Sequence, residues 1–183
     1  MLDDILSDAR ESMGKAQEAF SNSLSKLRTG RANLSLLDGI RVDYYGTPTP
    51  LTQVAAVQVA DPRLITIKPW DKGLLVAIEK AIVSSSLGIT PGNDGELIRL
   101  PIPPLTGERR QDLVKQLKRQ TEDARVSIRN VRRDANTLIK SAKDDLTEDD
   151  QRVGLARVQK LTDEWIAKLE SMAQTKEAEV MEV

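Results

Sequence analysis

The sequence predicts an α+β chain of two domains: a long antiparallel three-helix bundle with a small β/α/β domain inserted after its first helix. Three observations lead there. Apolar residues recur at steps of three and four in three separate stretches, the mark of amphipathic helices. All eight prolines fall between Pro48 and Pro104, so the texture of the chain changes sharply there and then changes back. The last two helical stretches are joined by a few residues only, which makes them antiparallel neighbours.

The first helix is expected to run to about Arg28, with Leu2, Ile5, Ala9, Met13, Ala16, Phe20, Leu24 and Leu27 on one stripe. Gly30 then acts as a stop. From about Arg31 to Leu105 the pattern is mixed. Ile40, Val42 and Tyr44 alternate with Arg41 and Asp43, as in a half-buried strand. Gly46-Thr47-Pro48-Thr49-Pro50 reads as a stiff loop. Val54–Val59 and Leu64–Ile67 read as strands about an Asp61-Pro62-Arg63 turn. Asp71 is placed to cap a helix to about Ser86. Pro91-Gly92-Asn93-Asp94-Gly95 reads as a turn, and Leu97–Ile102 as a last strand stopped by Pro103 and Pro104. Trp70 and Trp165 are expected in the core or at the hinge.

From Thr106, a plausible N-cap, helical spacing returns: Leu113, Leu117, Ala124, Ile128, Val131, Ala135 and Leu138 form one stripe. Nothing breaks this helix before about Asp145, a span of roughly 57 Å. Thr147 and Asp150 resemble a capping box that starts the third helix, whose stripe is Val158, Leu161, Trp165, Leu169 and Met172. Residues 1–30 and 106–183 thus make the bundle, and 31–105 the inserted domain. The linkers near 30–32 and 103–106 are expected to form a hinge.

Composition narrows the function. Only 3% of residues are aromatic and 30% are charged, and the net charge is −1. No cysteine or histidine is present. That excludes disulfides, zinc sites built from Cys or His, and Cys or His catalysis. No metal, cofactor or catalytic site is expected. The acidic start, Met1-Leu2-Asp3-Asp4, is unlike a signal peptide, and no apolar run is long enough to span a bilayer. These features suggest a protein of the cytoplasm, or of an organelle matrix after processing; it is expected to be monomeric.

Charge is partitioned by helix. Thr106–Leu146 carries eleven Lys and Arg against seven acids, whereas Thr147–Val183 has five against nine. The densest stretch is ARVSIRNVRRDAN, Ala124–Asn136. On a helical wheel Arg125, Arg129 and Arg132 share an arc of about 60°, with Arg133 beside it, roughly 100° from the apolar stripe. These guanidiniums are expected to face solvent, where a planar fork suits phosphate. A plain solvated face, with the arginines paired to Glu122 or Asp134, is the bland alternative. Four arginines in nine residues weigh against it.

LRTGRANLSLLDGIRVDYYGTPTPL (Leu27–Leu51), KAIVSSSLGITP (Lys80–Pro91), RLPIPPLTGERRQDL (Arg99–Leu113) and ARVSIRNVRRDAN together resemble the ribosome recycling factor family. KLTDEWIAKLE and the acidic tail also fit. Gly107 departs from the pattern, where an acidic residue is expected. The resemblance implies a three-helix bundle that binds large-subunit ribosomal RNA. With elongation factor G and GTP, such a factor splits post-termination ribosomes and frees messenger and transfer RNA. It also implies RNA contacts at Arg110, Arg129, Arg132 and Arg133, with Arg125, Arg28 and Arg31 as further candidates. The residues alone leave a second class open, a helical protein-binding scaffold or chaperone-like coiled-coil protein.

Overall fold

The computed structural model describes residues 1–182. Contacts divide the chain into two compact units: Met1–Leu27 together with the chain from Glu108 onward, and Arg28–Gly107.

The first unit consists of α1 (Leu2–Ser25), α4 (Gly107–Ser141) and α5 (Glu148–Met181). Each is amphipathic and has one face to bury, so none is stable by propensity alone. α1 buries Ala9, Met13, Phe20 and Leu24. It ends at Ser25 rather than near Arg28. Leu27 is still buried, but in a tighter turn whose N–H donates to the Leu24 carbonyl at 3.1 Å. α4 buries Leu113, Leu117, Thr121, Ala124, Ile128, Ala135 and Ile139. The expected stripe ended on Leu138, which is instead 54% exposed. Eleven residues make almost three whole turns, so Ile139 returns beneath Ile128 while Leu138 points about 80° away. Val131, about 60° off the same line, is half-buried.

α5 starts as expected. The Thr147 hydroxyl accepts from the Asp150 N–H, and the Asp150 carboxylate accepts from the Thr147 N–H, both at 3.1 Å. This capping box satisfies two N–H groups that the helix geometry leaves without partners. Thr121 and Thr162, the two buried polar residues among those described, donate to the carbonyls of Leu117 and Val158 one turn back.

Side-chain neighbours set the helix directions. Gly154 lies against Leu2, Gly14 against Trp165 and Gln17 against Met172, so α1 and α5 run parallel. Arg110 reaches Met181, Arg125 reaches Glu170 and Arg132 reaches Gln159, so α4 runs antiparallel to α5. The three helices crowd together at Gly154. A Cβ there would sit 2.6 Å from Leu2 Cδ1 and 3.2 Å from Ile139 Cδ1.

The second unit opens with a hairpin, β1 (Arg41–Tyr44) and β2 (Thr47–Pro50). The stretch expected as a loop is therefore a strand. Pro48 and Pro50 are tolerated because the hairpin has only two strands and needs few of its N–H groups. Tyr45 and Gly46, with φ of 48° and 87°, form the tight turn between them, and the Asp43 carboxylate accepts from Gly46 N at 2.7 Å. A short α2 (Leu51–Val54) follows. Then β3 (Ala55–Asp61), β4 (Leu64–Pro69), β5 (Gly92–Asn93) and β6 (Ile98–Pro101) form an antiparallel sheet in the order β3-β4-β6-β5. β5 lies inside the segment read as a turn, and its pairing with Ile98 and Arg99 carried no local signal.

Asp71 does act as a cap, but of a 3-10 turn over Lys72–Leu74 that leads into α3 (Leu75–Ser84). Leu75, Ile78 and Ile82 of α3 join Val42, Leu51, Ile65, Ile67, Ile98 and Leu100 in one aliphatic core. Trp70 is not in it. Ile65, Ile67 and Pro69 point inward, so strand alternation turns the next residue outward, and Trp70 is 72% exposed. Tyr44 and Tyr45 are also exposed. Trp165 is half-buried, with the Lys168 ammonium 4.2 Å from its ring centroid.

Two predictions follow from the bundle. Gly154→Leu is expected to overpack the junction with Leu2 and Ile139 and to destabilise the protein by about 1–3 kcal/mol. Urea unfolding measures this as a lowered midpoint; an unchanged midpoint would show that the helices can separate freely there. The Arg110 guanidinium donates to the carbonyls of Met181 at 3.1 Å and Glu182 at 2.8 Å, capping the end of α5. Arg110→Ala is therefore expected to fray that end at a cost of about 0.5–1 kcal/mol. Amide hydrogen exchange over residues 178–182 should speed up, and exchange unchanged there would remove the cap from the account.

Candidate nucleic-acid interface

A helix presents a continuous row of side chains, so α4 can display cations along about 52 Å. The sequence places Arg125, Arg129, Arg132 and Arg133 on the two to three turns just past the middle of this helix. The structure keeps all four off the apolar seam but separates them by environment.

Arg133 is the most open, 72% exposed at the side chain, with Asp134 at 3.6 Å as its ion-pair partner. Arg132 is half-buried and directs Nη1 to the Gln159 amide oxygen of α5 at 3.4 Å. Arg125 is also half-buried. Its Nη1 donates to Glu122 Oε2 at 3.1 Å, and its Nη2 lies 3.4 Å from Glu170 Oε1 of α5. Arg129 is bound through Nη2 to the second oxygen of the same Glu122. The expectation that all of these groups face solvent thus needs correction for Arg125 and Arg132. They lie at the edge of the seam, where α5 reaches them.

Glu122 is the centre of the cluster. The Arg125 guanidinium first, then that of Arg129, holds its carboxyl below the usual glutamate range, so it is ionised at neutral pH. Beside it is an open cleft of about 460 Å³, lined in part by Lys118, Thr121, Glu122, Arg125 and Glu170. The helical wheel singles out the arginines but not Glu170 or Gln159, because a wheel describes one helix and these partners belong to another.

The remaining candidates are placed differently. Arg110 is half-buried at the start of α4, bound to the end of α5. Arg28 and Arg31 belong to the unit Arg28–Gly107. The Arg28 guanidinium donates to the carbonyls of Leu87 at 3.2 Å and Ser86 at 3.4 Å, and Arg31 is exposed. Among the described residues no group of His, Cys, Asp or Glu could hold a metal ion, and no helix is long and apolar enough to cross a membrane.

Comparison with known proteins agrees along the whole chain. Residues 20–181 match the family model described as ribosome recycling factor. The chain is 54% identical over 184 residues to the ribosome-recycling factor of Oleidesulfovibrio alaskensis, with full coverage of both. It is 50% identical over 185 residues to that of Myxococcus xanthus, again with full coverage of both. A solution structure of a ribosome recycling factor superposes with a TM-score of 0.79 at 41% identity, covering 100% of this chain and 98% of that one. A second structure has a TM-score of 0.66 at 43% identity and covers 99% of each chain. It is a model of the Thermus thermophilus factor, with elongation factor G of Escherichia coli, bound to the E. coli post-termination complex. A model match over most of the chain, and relatives half-identical from end to end, make this chain a member of the ribosome recycling factor family.

Proposed function

We propose that this protein recycles ribosomes after termination, gripping large-subunit ribosomal RNA through the arginine face of α4. With elongation factor G and GTP it splits the post-termination ribosome into subunits, releasing messenger and transfer RNA. It is a binding factor rather than an enzyme, the GTPase being its partner, and it works in the cytoplasm. Arg129, Arg132 and Arg133 are the principal RNA contacts, with Arg125 and Arg110 flanking them and Arg28 and Arg31 contributing from the other unit.

The observation that carries the reading is a helix, Gly107–Ser141, with ten cations against five acids, on a chain that matches the family over residues 20–181. A bulk charge of −1 attracts no polyanion, so the grip has to be local. Four arginines within nine residues supply it, in a row that a backbone of phosphates can follow. A-form RNA suits such a row because its readable features are phosphates and 2′-hydroxyls rather than a deep groove.

The direct test is a subunit-splitting assay with purified ribosomes, elongation factor G and GTP, with and without this protein. No acceleration of splitting would overturn the role. For the interface, Arg129→Ala is expected to weaken ribosome binding by roughly 1.5–3 kcal/mol, while stability changes by under about 1 kcal/mol, as for an exposed ion pair. Binding equal to that of the unaltered protein would remove this face from the interface. Log affinity should also fall linearly with log salt, and Arg133→Ala should reduce that slope by about one. A flat salt dependence would point to a protein partner held by apolar contacts.

A further inference from the structure

We propose that Glu122 is a built-in stand-in for a phosphate. Its carboxylate occupies the Arg125 and Arg129 guanidiniums in the free protein, and a phosphate of the RNA binds there by displacing it. This rests on the reading of α4 as the RNA-binding face and adds how that face is held in check.

The geometry supports an exchange. The two oxygens of one carboxylate are divided between two arginines, Oε2 to Arg125 and Oε1 to Arg129. A phosphate offers the same guanidiniums the same kind of acceptor, with more charge and more oxygens. The cluster is within reach: the side chains of Glu122, Arg129 and Arg125 are 51%, 44% and 32% exposed. The displaced carboxylate has somewhere to go, because the cleft of about 460 Å³ opens beside it.

Arg125 is also incompletely bonded as it stands. Its Nε–H is enclosed and meets no acceptor in the protein, while its Nη atoms are shared between Glu122 and the Glu170 carboxylate at 3.4 Å. A guanidinium with an unused donor gains from a rearrangement that supplies one more oxygen. Arg133 has no such clamp, since its one carboxylate neighbour, Asp134, is loose and open. The face therefore holds one cation ready and two under lock. Internal competition lowers the affinity of the complex without removing any contact, which suits a factor that has to let go.

The test compares the intact protein with Glu122→Gln, Arg125→Ala/Arg129→Ala, and the triple variant, binding to purified large ribosomal subunits at several salt concentrations. Helical content and urea midpoint are checked for each. Glu122→Gln is expected to bind about three- to tenfold tighter at about 0.1 M salt. In the background without Arg125 and Arg129 the same change should bring little, because there is nothing left to release. Binding no tighter than the intact protein, or weaker, would overturn the proposal. An equal or larger gain without the arginines would overturn it too, since that is simple repulsion between carboxylate and RNA. If instead Arg125→Ala/Arg129→Ala binds as tightly as the intact protein, the interface itself is misplaced, and this inference falls with it.

Discussion

Much of this molecule follows from one constraint: three long helices each have a single apolar face, and these faces have to be buried on one another. Aromatic bulk is scarce, with Phe20 the chain's one phenylalanine, so the seam is built from Met13, Leu113, Leu117, Ile128, Ile139, Val158 and Leu169. Thin aliphatic cores of this kind need close approach, and small residues provide it. Gly154 admits Leu2 and Ile139, where an added Cβ would sit 2.6 Å from Leu2 Cδ1. Once the seam is closed, the outward faces are free to carry charge. α4 collects cations there and α5 collects acids.

That partition creates the electrostatics of the candidate site. An antiparallel pair with opposite charge brings acidic and amide side chains of α5 to the arginines of α4, as Glu170 and Gln159 show. Exposed pairs of this sort add little stability, because solvent screens them and the side chains lose entropy. Their larger effect is on which guanidiniums are left without a carboxylate. Packing thus shapes the arginine face indirectly, by deciding which residues of the neighbouring helix border it.

The fold was legible in the sequence where a local signal existed. Stripe spacing placed the three helices, and the Thr147 and Asp150 pair marked the start of α5 to the residue. The end of the α4 stripe differs from expectation because Leu138 and Ile139 are both apolar, and only the phase relative to Ile128 separates them. In the inserted unit, prolines concealed β2, and β5 is two residues long and defined by its partner strand. Trp70 is expected in the core or at the hinge, whereas its place just after β4, out of phase with the inward Ile65, Ile67 and Pro69, turns it outward. The arginines of the site were visible as a cluster on a wheel. Their partners on α5 were not, since no pattern within one helix encodes the face of another.

The path of the chain through its units also bears on its own synthesis. α1 leaves the ribosome before α4 and α5, yet its neighbours Gly154, Trp165 and Met172 come from α5. Between them the continuous stretch Arg28–Gly107 has a core of its own to close. At about 5–20 residues per second, the wait from Leu2 to Gly154 is roughly 8–30 seconds. During that time the stripe of α1 lacks its α5 neighbours, and propensity alone gives a helix of 24 residues little stability in water. Few bulky apolar groups and a high share of charge keep such a waiting segment soluble. The same thin core that limits the strength of the finished bundle protects the nascent chain until its last helix arrives.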